Sequence, residues 1–100
     1  MPFLLSTHGA VFSTRPRGAS LRSEAIASRD ANEELRISFA GVQSISYSFA
    51  DEFLGPLMSA PGTVVLEDVA APLHRIILGA LERRGIHTSE EELFRSSLPA

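Results

Sequence analysis

Segments with the period of a strand alternate along this chain with segments that have the spacing of a helix. Residues 35–39 alternate apolar with polar side chains, which predicts a strand with one better-buried face. Residues 49–58 then place their apolar side chains at helical spacing. A β-rich run, Thr63–Glu67, has the composition of a buried central strand, and residues 72–81 carry the clearest apolar stripe of a helix. Because such an order needs crossover connections, it predicts an α/β layer with at least two parallel strands.

The N-terminal third contains two short apolar runs before its first helical pattern. Residues 3–6 and 11–14 are separated by His8-Gly9, which has the composition of a turn. The two runs either pair as a hairpin or contribute only one strand to the sheet. The amphipathic pattern that follows, over residues 19–26, predicts a helix that ends near residues 28–31.

Two further helix boundaries are predicted from breakers and caps. Pro56 lacks the N–H group that a helix interior needs, so the helix over residues 49–58 is predicted to kink or end early there, and Pro61-Gly62 reinforces the end. Near the C-terminus, Ser89 and Glu92 match a capping box, which predicts a last helical turn or two.

The composition excludes several classes of function. The 100 residues include no cysteine, so a disulfide framework, a thiolate metal site and a cysteine nucleophile are excluded. All nine basic residues are arginines and the net charge is −3, which argues against general binding of nucleic acid. Positive charge is concentrated in the first third of the chain, at Arg15, Arg17, Arg22 and Arg29. The first three of these either are solvated or bind a phosphorylated or acidic partner. The N-terminal residues match neither a secretory signal nor a membrane span, and this favours the cytoplasm.

A hydroxyl-rich loop follows the strand over residues 35–39. Within it, Ser48 and Asp51 stand at the spacing of a helix start, in which the serine oxygen accepts the Asp51 N–H group and the carboxylate reaches back. Ser48 is therefore either a plain helix cap or a regulatory phosphorylation site. A phosphate on Ser48 would lie close to Asp51 and Glu52, so it is expected to disrupt an interface through like charges.

No set of catalytic or metal-binding side chains emerges from the spacing. Asp51 and Glu52 are adjacent, so on a helix they point about 100° apart and form no convergent acid–base pair. His8, His74 and His87 lack the spacing of ligands on one element. We therefore expect no catalytic residue, no metal and no cofactor.

The segment over residues 35–58 resembles the core of a STAS-like domain, the small α/β module related to anti-sigma-factor antagonists. It resembles more narrowly a group of uncharacterised relatives that carry a Ser-Phe-Ala-Asp-Glu motif, here residues 48–52, after a Phe-Ala-Gly-Val run, here residues 39–42. The resemblance implies one domain over residues 1–100, with a recognisable core at about 10–85 and a C-terminal helical extension at 86–100. It implies a small sandwich with a three- to four-stranded mixed sheet and helices mainly on one face.

The resemblance also implies a function. It favours a non-enzymatic, bacterial, regulatory module that binds a protein partner such as a histidine-kinase-like ATPase or an anti-sigma-type protein, with no role for nucleic acid or membrane. Matching the Gly-Val of the antagonists places Ser48 at their phosphoacceptor serine. The partner-binding residues would be Ser46, Tyr47, Ser48, Phe49, Asp51 and Glu52.

Two alternatives come from other classes of function. The chain could be a structural or oligomerisation subunit, in which Leu93, Phe94 and Leu98 pack onto a neighbouring molecule. It could instead be a small-ligand sensor that uses the loops at the strand ends, where open α/β sheets bind ligands.

Overall fold

In a computed structural model that describes residues 3–29, 34–59 and 63–94, five strands form two small parallel sheets. Strands β1 (Phe3–Leu4), β3 (Glu34–Ser38) and β5 (Thr63–Glu67) form the larger sheet in the order β1-β3-β5. Strands β2 (Val11–Phe12) and β4 (Ser44–Ile45) form the smaller sheet.

Three helices of similar length pack beside these sheets. They are α1 (Arg15–Ala27), α2 (Tyr47–Ser59) and α3 (Ala71–Arg83), and a short α4 (Glu90–Leu93) follows them. Helix α2 packs against α1 along one flank and against α3 along the other. Helix α2 thus lies between α1 and α3, and side chains of α2 can contact both of them.

One face of the larger sheet is apolar and buried. Leu35, Ile37 and Leu66 are fully buried, and Ile37 lies beside Leu66 in the register of β3 and β5. Arg36 alternates with these residues, so it points to the opposite face, where it is exposed and forms an ion pair with Glu67. The elements alternate between strands and helices, so the predicted α/β class is confirmed.

The strand pairing differs in part from the sequence-based expectation. Every strand pair within the described residues is parallel, so the predicted mixed sheet is wrong in that detail. The N-terminal runs neither form a hairpin nor contribute a single strand, because β1 pairs with β3 and β2 pairs with β4. A single 3-10 turn, Leu5–His8, separates them and carries the chain from one sheet to the other.

Of the two outcomes predicted for Pro56, a kink or an early end of the helix, the early end is wrong, because α2 continues to Ser59. Pro56 has no N–H group to donate to the carbonyl oxygen four residues earlier, which belongs to Glu52. The Arg22 guanidinium of α1 donates to this Glu52 carbonyl oxygen instead. A side chain from the neighbouring helix therefore supplies the hydrogen bond that proline removes, and the predicted Pro61-Gly62 stop lies outside the described residues.

The start of the C-terminal extension packs onto the domain's own core. Phe94 is fully buried, and its ring stacks on that of His74 with 3.8 Å between the ring centres. The expectation that Phe94 packs onto a neighbouring molecule is therefore wrong, because α3 already covers it. Leu98, which belonged to the same expectation, lies outside the described residues.

Candidate functional site

The loop before α2 is shaped by a tight turn and a serine cap. Gly41 has a φ of 82°, and the Val42 N–H group donates to the Phe39 carbonyl oxygen at 2.9 Å. A positive φ at this position favours glycine. The turn reverses the chain after β3 and leads it through β4 to the start of α2.

Ser46, not Ser48, caps helix α2. The Phe49 N–H group donates to Ser46 Oγ at 3.0 Å, and the Ser46 hydroxyl donates to the Ser13 carbonyl oxygen at 2.9 Å. The predicted capping pair of Ser48 and Asp51 is therefore wrong, because the helix begins at Tyr47 and Ser48 lies within its first turn. The Ser48 side chain is left for another role, at the wall of a cleft.

Asp51 connects α1 to α3 across α2. Its carboxylate accepts a hydrogen bond from Arg15 Nη1 at 2.6 Å and another from Arg84 Nε at 2.5 Å. The hydrogen bond from Arg15 lowers the pKa of Asp51 below its usual value and the Arg84 bond adds to this, while partial burial acts in the opposite direction. Asp51 is therefore held in its charged form between two guanidinium groups.

Glu52 forms its main ion pair with Arg22 of α1, which is not among the described ion partners of Asp51. Its carboxylate accepts from Arg22 Nη1 at 2.8 Å, while Arg15 Nη1 lies 3.8 Å from the second Glu52 oxygen. Both carboxylates are engaged by arginines, and Arg15 Nη1 lies 2.6 Å from an oxygen of Asp51 and 3.8 Å from an oxygen of Glu52. This arrangement does not place a free acid–base pair beside a substrate site.

A cleft of about 390 Å³ opens where the first turn of α2 meets the end of α3. Tyr47 stands at its rim with 41% of the residue exposed. The Tyr47 ring lies against Gly79 of α3, and the Arg83 guanidinium carbon lies 5.1 Å from the ring centre. The cleft is lined by Arg15, Tyr47, Ser48, Asp51, Ala80, Arg83 and Arg84.

The charge of this cleft is opposite to that of the whole chain. Arg15, Arg83 and Arg84 carry three positive charges and Asp51 carries one negative charge, which leaves +2 in the lining. The chain as a whole has a net charge of −3. A cleft that concentrates arginines and one exposed aromatic ring is suited to contact an anionic or acidic surface.

Only some of the predicted contact residues lie at the cleft. Tyr47, Ser48 and Asp51 line the cleft, and Glu52 is half-buried against Arg22. Phe49 is fully buried, with its ring stacked against Phe53 at 5.3 Å between centres and tilted against Phe12 at 5.1 Å. The prediction of Phe49 as a partner contact is therefore wrong, since it is a core residue.

Sequence reasoning missed the two arginines at the end of α3. Arg83 and Arg84 follow the last residue of the apolar stripe over 72–81, which is the only signal they carry in the sequence. Arg15 was singled out only for the positive charge of its segment, not as a partner of Asp51. Nothing in the local pattern states that these three side chains meet beside Ser48, because that depends on how the helices pack.

The described residues contain no group of three histidine, aspartate or glutamate side chains close enough to hold a metal ion. His74 is buried, and its Nε2 atom lies 2.9 Å from the Val69 carbonyl oxygen. Among helices of the described ranges, none is long and apolar enough to cross a membrane.

Comparison with protein families identifies the domain. A family model described as a STAS-like domain of unknown function matches residues 17–73, which is more than half of the chain. The chain belongs to this STAS-like family. The match confirms the predicted resemblance at the level of the family, while the narrower Ser-Phe-Ala-Asp-Glu motif stays a prediction. Comparison with curated proteins and with solved structures returns no match.

The segment that the STAS-like family model matches contributes only one wall of the cleft. Tyr47, Ser48 and Asp51 lie within residues 17–73, whereas Arg15 and the Arg83-Arg84 pair lie outside them. The positive charge of the cleft in this STAS-like domain therefore comes from residues that flank the matched segment.

Proposed function

We propose that this STAS-like domain is a non-enzymatic regulatory module that binds a protein partner through the first turn of α2 and the end of α3. The observation that supports this most directly is Tyr47, an aromatic residue held at the rim of the cleft with 41% of its surface exposed. Tyrosine and arginine are the residue types that dominate binding energy at protein interfaces. Tyr47 here lies beside Arg83 and is supported from below by Gly79.

The kind of partner follows from the resemblance to anti-sigma-factor antagonists. It favours a histidine-kinase-like ATPase or an anti-sigma-type protein in the bacterial cytoplasm. Ser46 before α2 and Tyr47, Ser48, Asp51 and Glu52 on it remain the proposed contacts, and Arg83 and Arg84 extend the surface to the end of α3.

Phosphorylation of Ser48 remains part of the proposal, with a different electrostatic effect from the one expected from sequence. A phosphoserine adds about −1.5 to −2 charges at neutral pH. Asp51 is already paired with Arg15 and Arg84, and the cleft beside Ser48 has a net charge of +2. The phosphate would therefore gain arginine contacts and occupy the cleft, which removes those arginines from a partner.

Site-directed photocrosslinking tests the proposed surface. Tyr47→p-benzoylphenylalanine places the crosslinker at the rim of the cleft. Ile26→p-benzoylphenylalanine is the matched control, since Ile26 is 51% exposed on α1. We expect a partner protein crosslinked from position 47 and not from position 26. Capture of the same proteins from both positions, or of a second copy of the chain alone, would contradict the proposed function.

Affinity measurements with the captured partner then test the contact residues. Tyr47→Ala should weaken binding about tenfold or more, because truncation of an interface tyrosine commonly costs above 1 kcal/mol. Ile26→Ala should leave binding unchanged. Ser48→Asp should weaken binding and Ser48→Ala should not, and equal affinities of both Ser48 variants would remove the phosphorylation switch from the proposal.

A further inference from the structure

The arginines of the cleft have donor capacity that Asp51 does not use. Asp51 takes Nη1 of Arg15 and Nε of Arg84, so it engages one nitrogen of each guanidinium group. A guanidinium group carries five N–H donors in a planar fork. Arg83 forms no ion pair with any carboxylate whose side chain the structure describes, and its described contact is the face of Tyr47.

The first turn of α2 forms part of the lining of the same cleft. The Ser48 side chain lines the cleft together with the three arginines. At the start of α2, Ser46 Oγ accepts from Phe49 and the Ser46 carbonyl oxygen accepts from Ala50. The N–H groups of Tyr47 and Ser48 precede these bonds, and N–H groups of a first helical turn have no acceptor within their own helix. The positive end of the helix dipole adds to the arginine charge.

We propose that this cleft binds a phosphate monoester group. A monoanion would do no more than replace Asp51 on the arginines, whereas a phosphate monoester carries close to two negative charges at neutral pH. That charge matches the +2 that remains in the lining after Asp51 is counted. Planar guanidinium groups bind phosphate oxygens through paired N–H donors, which a cleft with three arginines can provide from both walls. Binding of this group requires no partner protein, so it can fail while the proposed interaction holds, or the reverse.

Titration of the purified full chain with small probes tests the site. O-phosphoserine and AMP present the monoester on an amino acid and on a nucleotide, and dimethyl phosphate presents a monoanion of similar shape. Tyr47 is the one tyrosine in a chain without tryptophan, so its intrinsic fluorescence reports from the rim of the cleft. The Arg84 Nε–H signal in a ¹H–¹⁵N spectrum reports from its inner wall. We expect saturable shifts of both signals with at least one monoester and not with dimethyl phosphate.

The outcomes of the probe titration also identify the source of the group. Binding of O-phosphoserine alone would support a phosphorylated side chain as the ligand, and binding of AMP alone would support a nucleotide. Equal binding of dimethyl phosphate would overturn the proposal, because it would show simple attraction of anions. Absence of saturable binding by either monoester would overturn it as well.

Arginine variants separate the cleft from the overall charge of α3. Arg83→Gln should weaken monoester binding about tenfold, since it removes a positive charge and its charge-assisted hydrogen bonds to the phosphate oxygens. Arg75→Gln removes the same charge from an exposed position of the same helix outside the cleft, and it should bind as the parent does. Asp51→Asn removes the negative charge of the lining and should tighten binding. Equal effects of Arg83→Gln and Arg75→Gln would refute the site.

Discussion

The two flanks of helix α2 are built around glycines in different ways. On the α1 flank, a Cβ atom added at Gly18 would lie 3.2 Å from the Phe49 carbonyl oxygen and 3.3 Å from the Phe53 nitrogen, so the two backbones themselves meet there. On the α3 flank, the glycines are covered by side chains: Tyr47 lies over Gly79, and Arg84 lies over Gly55. Where backbone atoms occupy the space beside a glycine, as on the α1 flank, the two helices leave no room for a ligand, and we call this the closed flank. Where a polar side chain covers the glycine, as on the α3 flank, a ligand can rearrange that side chain, and we call this the open flank.

The arginines show the same contrast. Arg22, on the closed flank, donates both to the Glu52 carboxylate and to the carbonyl oxygen that Pro56 leaves without its helical donor. Arg83, on the open flank, has a tyrosine ring as its described contact. We therefore assign a structural role to the α1 flank and the binding role to the α3 flank, and the following predictions test that division.

The largest effect is expected from Gly18→Leu, which would force the α1 and α2 backbones apart. Overpacking of this kind costs about 3 kcal/mol of unfolding free energy when backbone atoms cannot move aside. Ser20→Leu, at an exposed position of the same helix, is the control and should change stability by less than about 0.5 kcal/mol. Chemical denaturation of both variants measures the difference. Equal denaturation midpoints for Gly18→Leu and Ser20→Leu would show that the backbones of α1 and α2 are not in tight contact at Gly18.

The next effect concerns the hydrogen bond that replaces the one lost at Pro56. Arg22→Met should cost about 1–2 kcal/mol, because it leaves the Glu52 carbonyl oxygen without a donor. Pro56→Ala restores an N–H group at the position that normally donates to this oxygen. The cost of Arg22→Met should therefore be smaller in the Pro56→Ala background, as a double-mutant cycle measures. Purely additive costs would mean that Arg22 acts through the Glu52 carboxylate alone.

Most helices and strands of the fold were predicted correctly, whereas the pairing of the short strands and the end of α2 were not. The periods of residues 35–39 and 72–81 were sufficient to predict β3 and α3, since burial of one face needs only a local pattern. Two-residue strands have no period, so the parallel pairing of β1 and β2 could not be read from their composition. Pro56 was predicted to kink α2 or end it early because the helix alone offers no substitute donor, and the substitute comes from Arg22, 34 positions earlier in the chain.

The candidate site was predictable to a similar extent. Tyr47, Ser48 and Asp51 were among the contact residues over 46–52 that the family resemblance implied, and all three line the cleft. The cap was assigned to Ser48 because its spacing to Asp51 is correct. Ser46 takes this role while its hydroxyl also donates to Ser13, a contact across 33 positions that no local pattern contains. Where two serines both have a local pattern suited to capping, tertiary contacts determine which of them caps the helix.

A smaller effect is expected from Asp51→Asn, and it depends on pH. Because the folded-state pKa of Asp51 is lowered, its ion pairs stabilise the protein above the unfolded-state pKa of about 3.9 and lose that effect as the pH falls through the folded-state pKa. The variant should be less stable by roughly 1 kcal/mol at pH 7, a value appropriate to a partly exposed pair. This difference should shrink below about pH 4. Thermal unfolding across pH 2–7 measures it, with the exposed Glu24→Gln as the charge control.

The smallest effect on stability, with the clearest effect on the site, is expected from Gly79→Ala. A Cβ atom there would lie 2.8 Å from Tyr47 Cε1, so the ring must move out of its place on α3. Alanine is favoured over glycine in a helix by about 1 kcal/mol, which offsets the lost contact and leaves the unfolding free energy nearly unchanged. The Tyr47 emission and its quenching by acrylamide should nevertheless change, since no other tyrosine or tryptophan contributes. Unchanged quenching would mean that the α3 flank is as rigid as the α1 flank, and the division between a structural and a binding flank would fail.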